Sequence, residues 1–191
     1  MKPPYPFPLV IFAGGASRRM GQDKALLPFG KAQSLAHYQY QRLSPLFNKS
    51  YLSTKEAKFS FDAPLIVDST HIYSPLGAII TAFEQLQEER LFFLSVDTPF
   101  ITPRVIEAII HASQGVDICV AKTPQGVHPL CGLYHKSILP LAQKHFVENN
   151  HRLQSLLEGA STHYLLFEQN QLFENLNHPK EYQKAFQKSL S

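Results

Sequence analysis

The chain has no tryptophan, only two methionines and only two cysteines in 191 residues. Cys119 and Cys131 form no Cys-x-x-Cys motif and keep no metal-ligand spacing. That excludes a disulfide-stapled scaffold and a thiolate zinc site, and it predicts a reduced chain with two small buried thiols. Charge is also scarce, at 17% of residues, against roughly 25% in globular chains generally. A disordered tail and a coiled coil are thereby excluded. The net charge of +3 is mild, and no stripe of Lys and Arg runs through the chain, so nucleic acid is not expected as a partner. No apolar run approaches the roughly 20 residues of a membrane span. The proline-rich start MKPPYPFPLV does not read as a signal peptide. A cytoplasmic chain, acting as a monomer, is expected.

Two common nucleotide motifs are missing as well. Gly-Lys-Ser/Thr does not occur at Walker spacing, and Gly14-Gly15 with Gly21 does not fit G-x-G-x-x-G. No Ser/His/Asp or Cys/His set offers a protein nucleophile. That last absence is informative. When one phosphate attacks another, positioning and charge neutralisation are needed, but no protein nucleophile.

What is present is a 44% hydrophobic chain, enough for a substantial core and most simply one domain over 1–191. Strands are expected at Pro8–Ala13, Leu46–Ser53, Ala63–Val67, Leu91–Val96, Asp117–Lys122, Leu130–Tyr134 and Thr162–Phe167. Helices are expected from Ser34 to about Ser44, from Ser74-Pro75 to near Glu89, and from Thr102-Pro103 to Gly115. Three more are expected at about Ile138–Val147, Leu153–Glu158 and Pro179–Lys188. The stops are read from Pro45 and Gly115, and the starts from capping Ser or Thr with proline in the first turn. Strand and helix alternate through most of the chain. This predicts an α/β fold: a mostly parallel sheet with helices on both faces, in a Rossmann-like three-layer arrangement.

The stretch FAGGASRRMGQDKALLPFGK, Phe12–Lys31, organises the rest. An apolar strand runs into Gly14-Gly15, then Arg18-Arg19, Gly21 and Lys24, before the chain turns apolar again. Glycines let amide N–H groups approach phosphates, and the cations balance the charge. Ser53, Asp68 and Asp97 also follow predicted strands. In such sheets the ligand sits at that rim. Asp97 ends a buried strand, where it reads either as a Mg²⁺ ligand or as a capping or turn residue. Asp68 reads as a ligand contact or as an Asx turn before Ser69-Thr70. For Asn177 helix capping alone is a sufficient explanation, and for His128 an ordinary polar surface or core position in a turn is.

The run Ala13-Gly14-Gly15-Ala16-Ser17-Arg18-Arg19-Met20-Gly21-Gln22-Asp23-Lys24 resembles L-A-G-G-x-S-x-R-M-G-x-D-K, the signature of the MobA-like nucleotidyltransferases. Ser74-Pro75-Leu76-Gly77, Asp97-Thr98-Pro99-Phe100, His128-Pro129-Leu130 and Asn175-Leu176-Asn177-His178-Pro179-Lys180-Glu181 follow in the family's order. They are similar to the guanylyltransferases of molybdenum cofactor synthesis within it. The resemblance implies a nucleotidyltransferase fold and Mg²⁺-dependent transfer of GMP from GTP to the terminal phosphate of molybdopterin. It implies that Phe12, Ala13 and Gly14 contact guanine, with Gly15 in the same loop. Lys24, helped by Arg19, holds phosphates, and Ser53 and Asp68 contact the nucleotide. Asp97 ligates Mg²⁺, and Asn175 and Asn177 meet the pterin. Transient contact with cofactor-donating or cofactor-accepting proteins is implied too. The sequence departs from the pattern at Phe12, Ser53, Ser74 and His178. Two other readings stay open: a relative using CTP or a sugar- or alditol-phosphate acceptor, and a non-catalytic nucleotide- or cofactor-binding protein.

Overall fold

The computed structural model describes residues 4–15, 20–68 and 74–190. Its strands are β1 (Leu9–Phe12), β2 (Ser50–Thr54), β3 (Leu65–Val67), β4 (Arg90–Ser95), β5 (Ile118–Thr123), β6 (Gly126–His135) and β7 (Thr162–Leu166). The helices are α1 (Leu35–Leu43), α2 (Pro75–Leu86), α3 (Pro103–Ala112), α4 (Leu139–Val147), α5 (Leu153–Gly159) and α6 (Pro179–Leu190). The strands form one sheet in the order β3-β2-β1-β4-β6-β5-β7. All neighbours run parallel except β6, which is antiparallel to both β4 and β5.

Successive strand residues point to opposite faces, and here both faces are covered. Leu9, Ile11, Leu52, Phe92 and Leu94 pack with Leu35 and Leu43 of α1, Val105, Ile106 and Ile109 of α3 and Ala185 of α6. Val10, Phe93 and Val120 pack on the other side with Leu76, Ile79 and Phe83 of α2, Ala142 of α4 and Leu156 and Leu157 of α5. Strands buried on both faces read as continuous apolar runs, which is why β1 and β4 stand out in the sequence. The three-layer expectation is met.

Boundaries differ at several element ends; α3 stops at Ala112 before reaching Gly115, β3 begins at Leu65 rather than Ala63, and three further differences have clear causes. The strand expected from Leu46 begins only at Ser50. Residues Ser44–Leu46 form a 3₁₀ turn around Pro45, and Phe47 bridges to Tyr5 instead. The helix expected to reach Glu89 ends at Leu86, because Gln87 adopts the left-handed conformation, φ 55°, and donates its N–H to Phe83 O. β6 starts four residues earlier than Leu130 and carries Pro129 within it. Proline has no N–H for the ladder. The β5–β6 register accordingly shifts between Val120 and Ala121, leaving residues 129–131 opposite the break.

Candidate functional site

The segments leaving β1, β2, β3 and β4 at their C-terminal ends enclose a cavity of about 420 Å³. Phe12, Ala13, Gly14, Gly15, Lys24, Ser53, Asp68 and Asp97 all line it. Every nucleotide-site residue expected from the sequence that lies among the described residues is therefore brought to one place. Arg19, with Arg18, lies outside the described residues. Topology explains the convergence: parallel strands β3, β2, β1 and β4 are adjacent, so the loops that follow them share one rim.

Local chemistry sets each side chain. Gly14 is held close to β2: a Cβ there would lie 3.1 Å from Thr54 Cα. Ala13 N–H donates to Ser53 O at 2.8 Å, locking the two strand ends together. Asp23 caps the 3₁₀ turn Lys24–Leu26, accepting from Ala25 N–H at 2.9 Å, and its other oxygen pairs with Lys58. That turn aims Lys24 into the cavity. Lys24 Nζ lies 2.6 Å from Asp97 Oδ2 and donates to Asn177 Oδ1 at 3.0 Å. Ser95 Oγ donates to the other Asp97 oxygen. Asp97 caps no helix, since Thr102 occupies the N-cap position of α3. On the opposite side, Lys55 Nζ lies 2.6 Å from Asp68 Oδ2. Asp68 is 3% exposed, and Thr81 Oγ1 of α2 donates to its Oδ1 at 3.4 Å. At the α2 start, Ser74 Oγ accepts from Gly77 N–H at 3.0 Å, as a capping serine should.

A second cavity, of about 500 Å³, has Asn177 in its wall, and Asn177 is hydrogen-bonded to Lys24 in the wall of the first. Asn175, Asn177, His128, Phe173, Glu181 and Lys184 are among the second cavity's walls. Asn177 was expected to cap α6. Instead its side-chain oxygen turns to Lys24, while its own N–H and that of His178 donate to Glu181 Oε2 at 2.7 and 2.9 Å. Leu176 N–H donates to Asp97 O at 2.9 Å, so this segment is fastened directly to the β4 end. His128 stacks on Phe173 with ring centroids 4.7 Å apart, and its Nε2 meets Thr123 Oγ1 at 3.1 Å. Burial pushes the imidazole below its usual pKa, which favours the neutral ring.

The residues missed by sequence reasoning are Lys55, Lys58, Ser95 and Glu181. Their partners lie 13, 35, 2 and 4 residues away, respectively. The two lysines sit in a polar loop that has no periodicity to betray a partner.

The arrangement suits an anionic ligand whose charge is met by lysines already poised on aspartates. Among the described residues no group of three or more His, Cys, Asp or Glu forms a protein-only metal cage. Asp97 on the cavity wall is a carboxylate of the kind that could hold Mg²⁺ together with ligand phosphates.

Sheet order and rim cavity define an α/β protein with its cavity at the C-terminal strand ends. The comparisons give the particular family: residues 9–168 match the MobA-like NTP transferase domain, and the chain belongs to that family, as a nucleotidyltransferase. It is 36% identical over 178 residues to a molybdenum cofactor guanylyltransferase of Campylobacter jejuni (serotype O:6), covering 92% of this chain and 93% of that one. It is 35% identical to a molybdenum cofactor guanylyltransferase of Helicobacter pylori (strain G27), covering 94% and 92%. The solved molybdopterin-guanine dinucleotide biosynthesis protein A of Archaeoglobus fulgidus shares the fold. Its TM-score is 0.81 at 19% identity, covering 95% of this chain and 97% of that one.

Proposed function

We propose that this chain transfers GMP from GTP to the terminal phosphate of molybdopterin, forming molybdopterin guanine dinucleotide and releasing pyrophosphate. One observation carries the reading beyond the family name. Lys24 lies between Asp97 in the wall of the first cavity and Asn177 in the wall of the second. A donor nucleotide and an acceptor phosphate held in those two cavities meet at this ammonium group.

The loop amides and Lys24, with Arg19, hold the triphosphate. Phe12 and Ala13, at the end of β1, supply the start of the base site. Asn175 and Asn177 orient the pterin, and Glu181 fixes Asn177 through its backbone N–H. The acceptor phosphate oxygen attacks the α-phosphorus in line. A new P–O bond forms as the bond to the β-phosphate oxygen breaks, and pyrophosphate leaves with the electron pair. No protein nucleophile takes part. Mg²⁺, when bound at Asp97, neutralises charge on the phosphates. The chain works as a monomer in the cytoplasm, in transient contact with the proteins that deliver and receive the cofactor.

The test is pyrophosphate release from GTP, CTP, UTP and ATP, with and without molybdopterin, with Mg²⁺ or with a chelator. Release with GTP and molybdopterin, lost on chelation and restored by Mg²⁺, is expected. Equal release with CTP, or release independent of molybdopterin, would overturn the proposal.

A further inference from the structure

Two lysine–aspartate pairs occupy opposite ends of the first cavity. Asp68 follows β3 and Lys55 follows β2, while Asp97 follows β4, on the far side of β1. Three strand spacings separate β3 from β4, or about 14 Å, which is the reach of a nucleotide from base edge to phosphates. Lys24 and Asp97 adjoin the second cavity through Asn177, so the phosphates belong at that end. The base then falls against Lys55 and Asp68.

The chemistry of this second pair is suited to one kind of base. Lys55 Nζ and Asp68 Oδ2 stand 2.6 Å apart on the cavity wall, placing a donor beside an acceptor. Guanine presents O6, an acceptor, beside the N1–H and N2–H donors. Adenine presents the reverse, an amino donor beside an acceptor nitrogen, and would set its lone pair against the carboxylate. Asp68 is almost fully buried and steadied by Thr81, so the acceptor is fixed before ligand arrives.

We infer that Lys55 reads the base, donating to guanine O6 beside Asp68, the nucleotide contact that the family resemblance already implies and the acceptor for N1–H and N2–H. The inference rests on the guanylyl-transfer reading above and adds a residue, Lys55, that sets its specificity. Selecting a base by a polar group is effective because the wrong base leaves a buried group unpaired.

Equilibrium affinities of GTP, ATP, xanthosine triphosphate and inorganic tripolyphosphate, measured on the full chain and two variants, test this. Lys55→Met should weaken GTP about tenfold or more while ATP and tripolyphosphate change less than twofold. Asp68→Asn should weaken GTP and strengthen xanthosine triphosphate, because an amide N–H can donate to the xanthine O2. A merely structural ion pair predicts no such gain. If Lys55→Met keeps the full preference for GTP over ATP, or Asp68→Asn weakens every ligand alike, the inference is overturned and guanylyl transfer stands. If the unaltered chain shows no preference for GTP, both fall. Should Lys55→Met fail to fold, Lys55→Ala measured against the same ligands decides.

Discussion

Lys24 and Asp97 pair with each other, and under the proposed function each exchanges that partner when nucleotide binds. Asp97→Asn keeps the shape and the Ser95 contact but removes the charge. Turnover is expected to fall by about 100-fold or more, in line with the loss of a preorganised charge contact in phosphoryl chemistry. Steady-state pyrophosphate release checks this, with circular dichroism showing the fold retained. Near-normal turnover would remove Asp97 from the site. His128 makes a different prediction. Burial lowers its pKa, so the folded chain favours the neutral ring and the unfolded chain binds the proton more readily. Stability is therefore kept above the ordinary histidine value of about 6.5 and declines as pH falls below it. The gap between the urea midpoints at pH 7.5 and 5.0 should be smaller for His128→Gln than for the parent. At this scale the sequence exposed residues that end apolar strands or carry the family signature. Lys55 and Lys58 were invisible because their aspartates are distant along the chain and meet them only after β1, β2 and β3 assemble.

At the scale of elements, β6 is the instructive one. The turn before it is local, with Gly126 at φ 144° closing a hairpin after Thr123. The strand's length and direction were not legible, because Gly126–Leu130 is half-buried and Pro129 interrupts the pattern. The strand lies between β4 and β5 and holds them together. Gly132 makes that possible: a Cβ there would sit 2.5 Å from Cys119 O and 2.6 Å from Val120 Cγ1. Backbone of β5 cannot yield without breaking the ladder. Gly132→Ala is expected to cost about 3 kcal/mol, the upper part of the range for overpacking, read as a lower urea midpoint. An unchanged midpoint would show that β5 can move. The ends of α2 and β2 were misplaced for similar reasons. Gln87 Oε1 accepts from Lys136 and Leu46 O accepts from Tyr5 N–H, contacts that no window of sequence contains.

For the whole molecule, alternation of apolar strands with capped helices was enough to give the three-layer class and its ligand edge. Strand order was beyond it, since order depends on which faces meet across long separations. The assembled core also settles the two cysteines. Both are free and buried, and burial pushes the Cys119 thiol up to about 11 and Cys131 further still. Thiolate is the reactive form. Native protein should therefore resist a disulfide reagent for hours and release two thiols promptly in guanidinium. Rapid native labelling would mean the sheet opens between β5 and β6. The assembled rim carries the central claim, that a nucleotide in the first cavity gives its α-phosphate to an acceptor in the second. Supplying GTP labelled at the α-phosphate with Mg²⁺ and molybdopterin follows that phosphorus directly. The account predicts label in a molybdopterin–GMP dinucleotide, in step with pyrophosphate. Label recovered only as free GMP or GDP would contradict it.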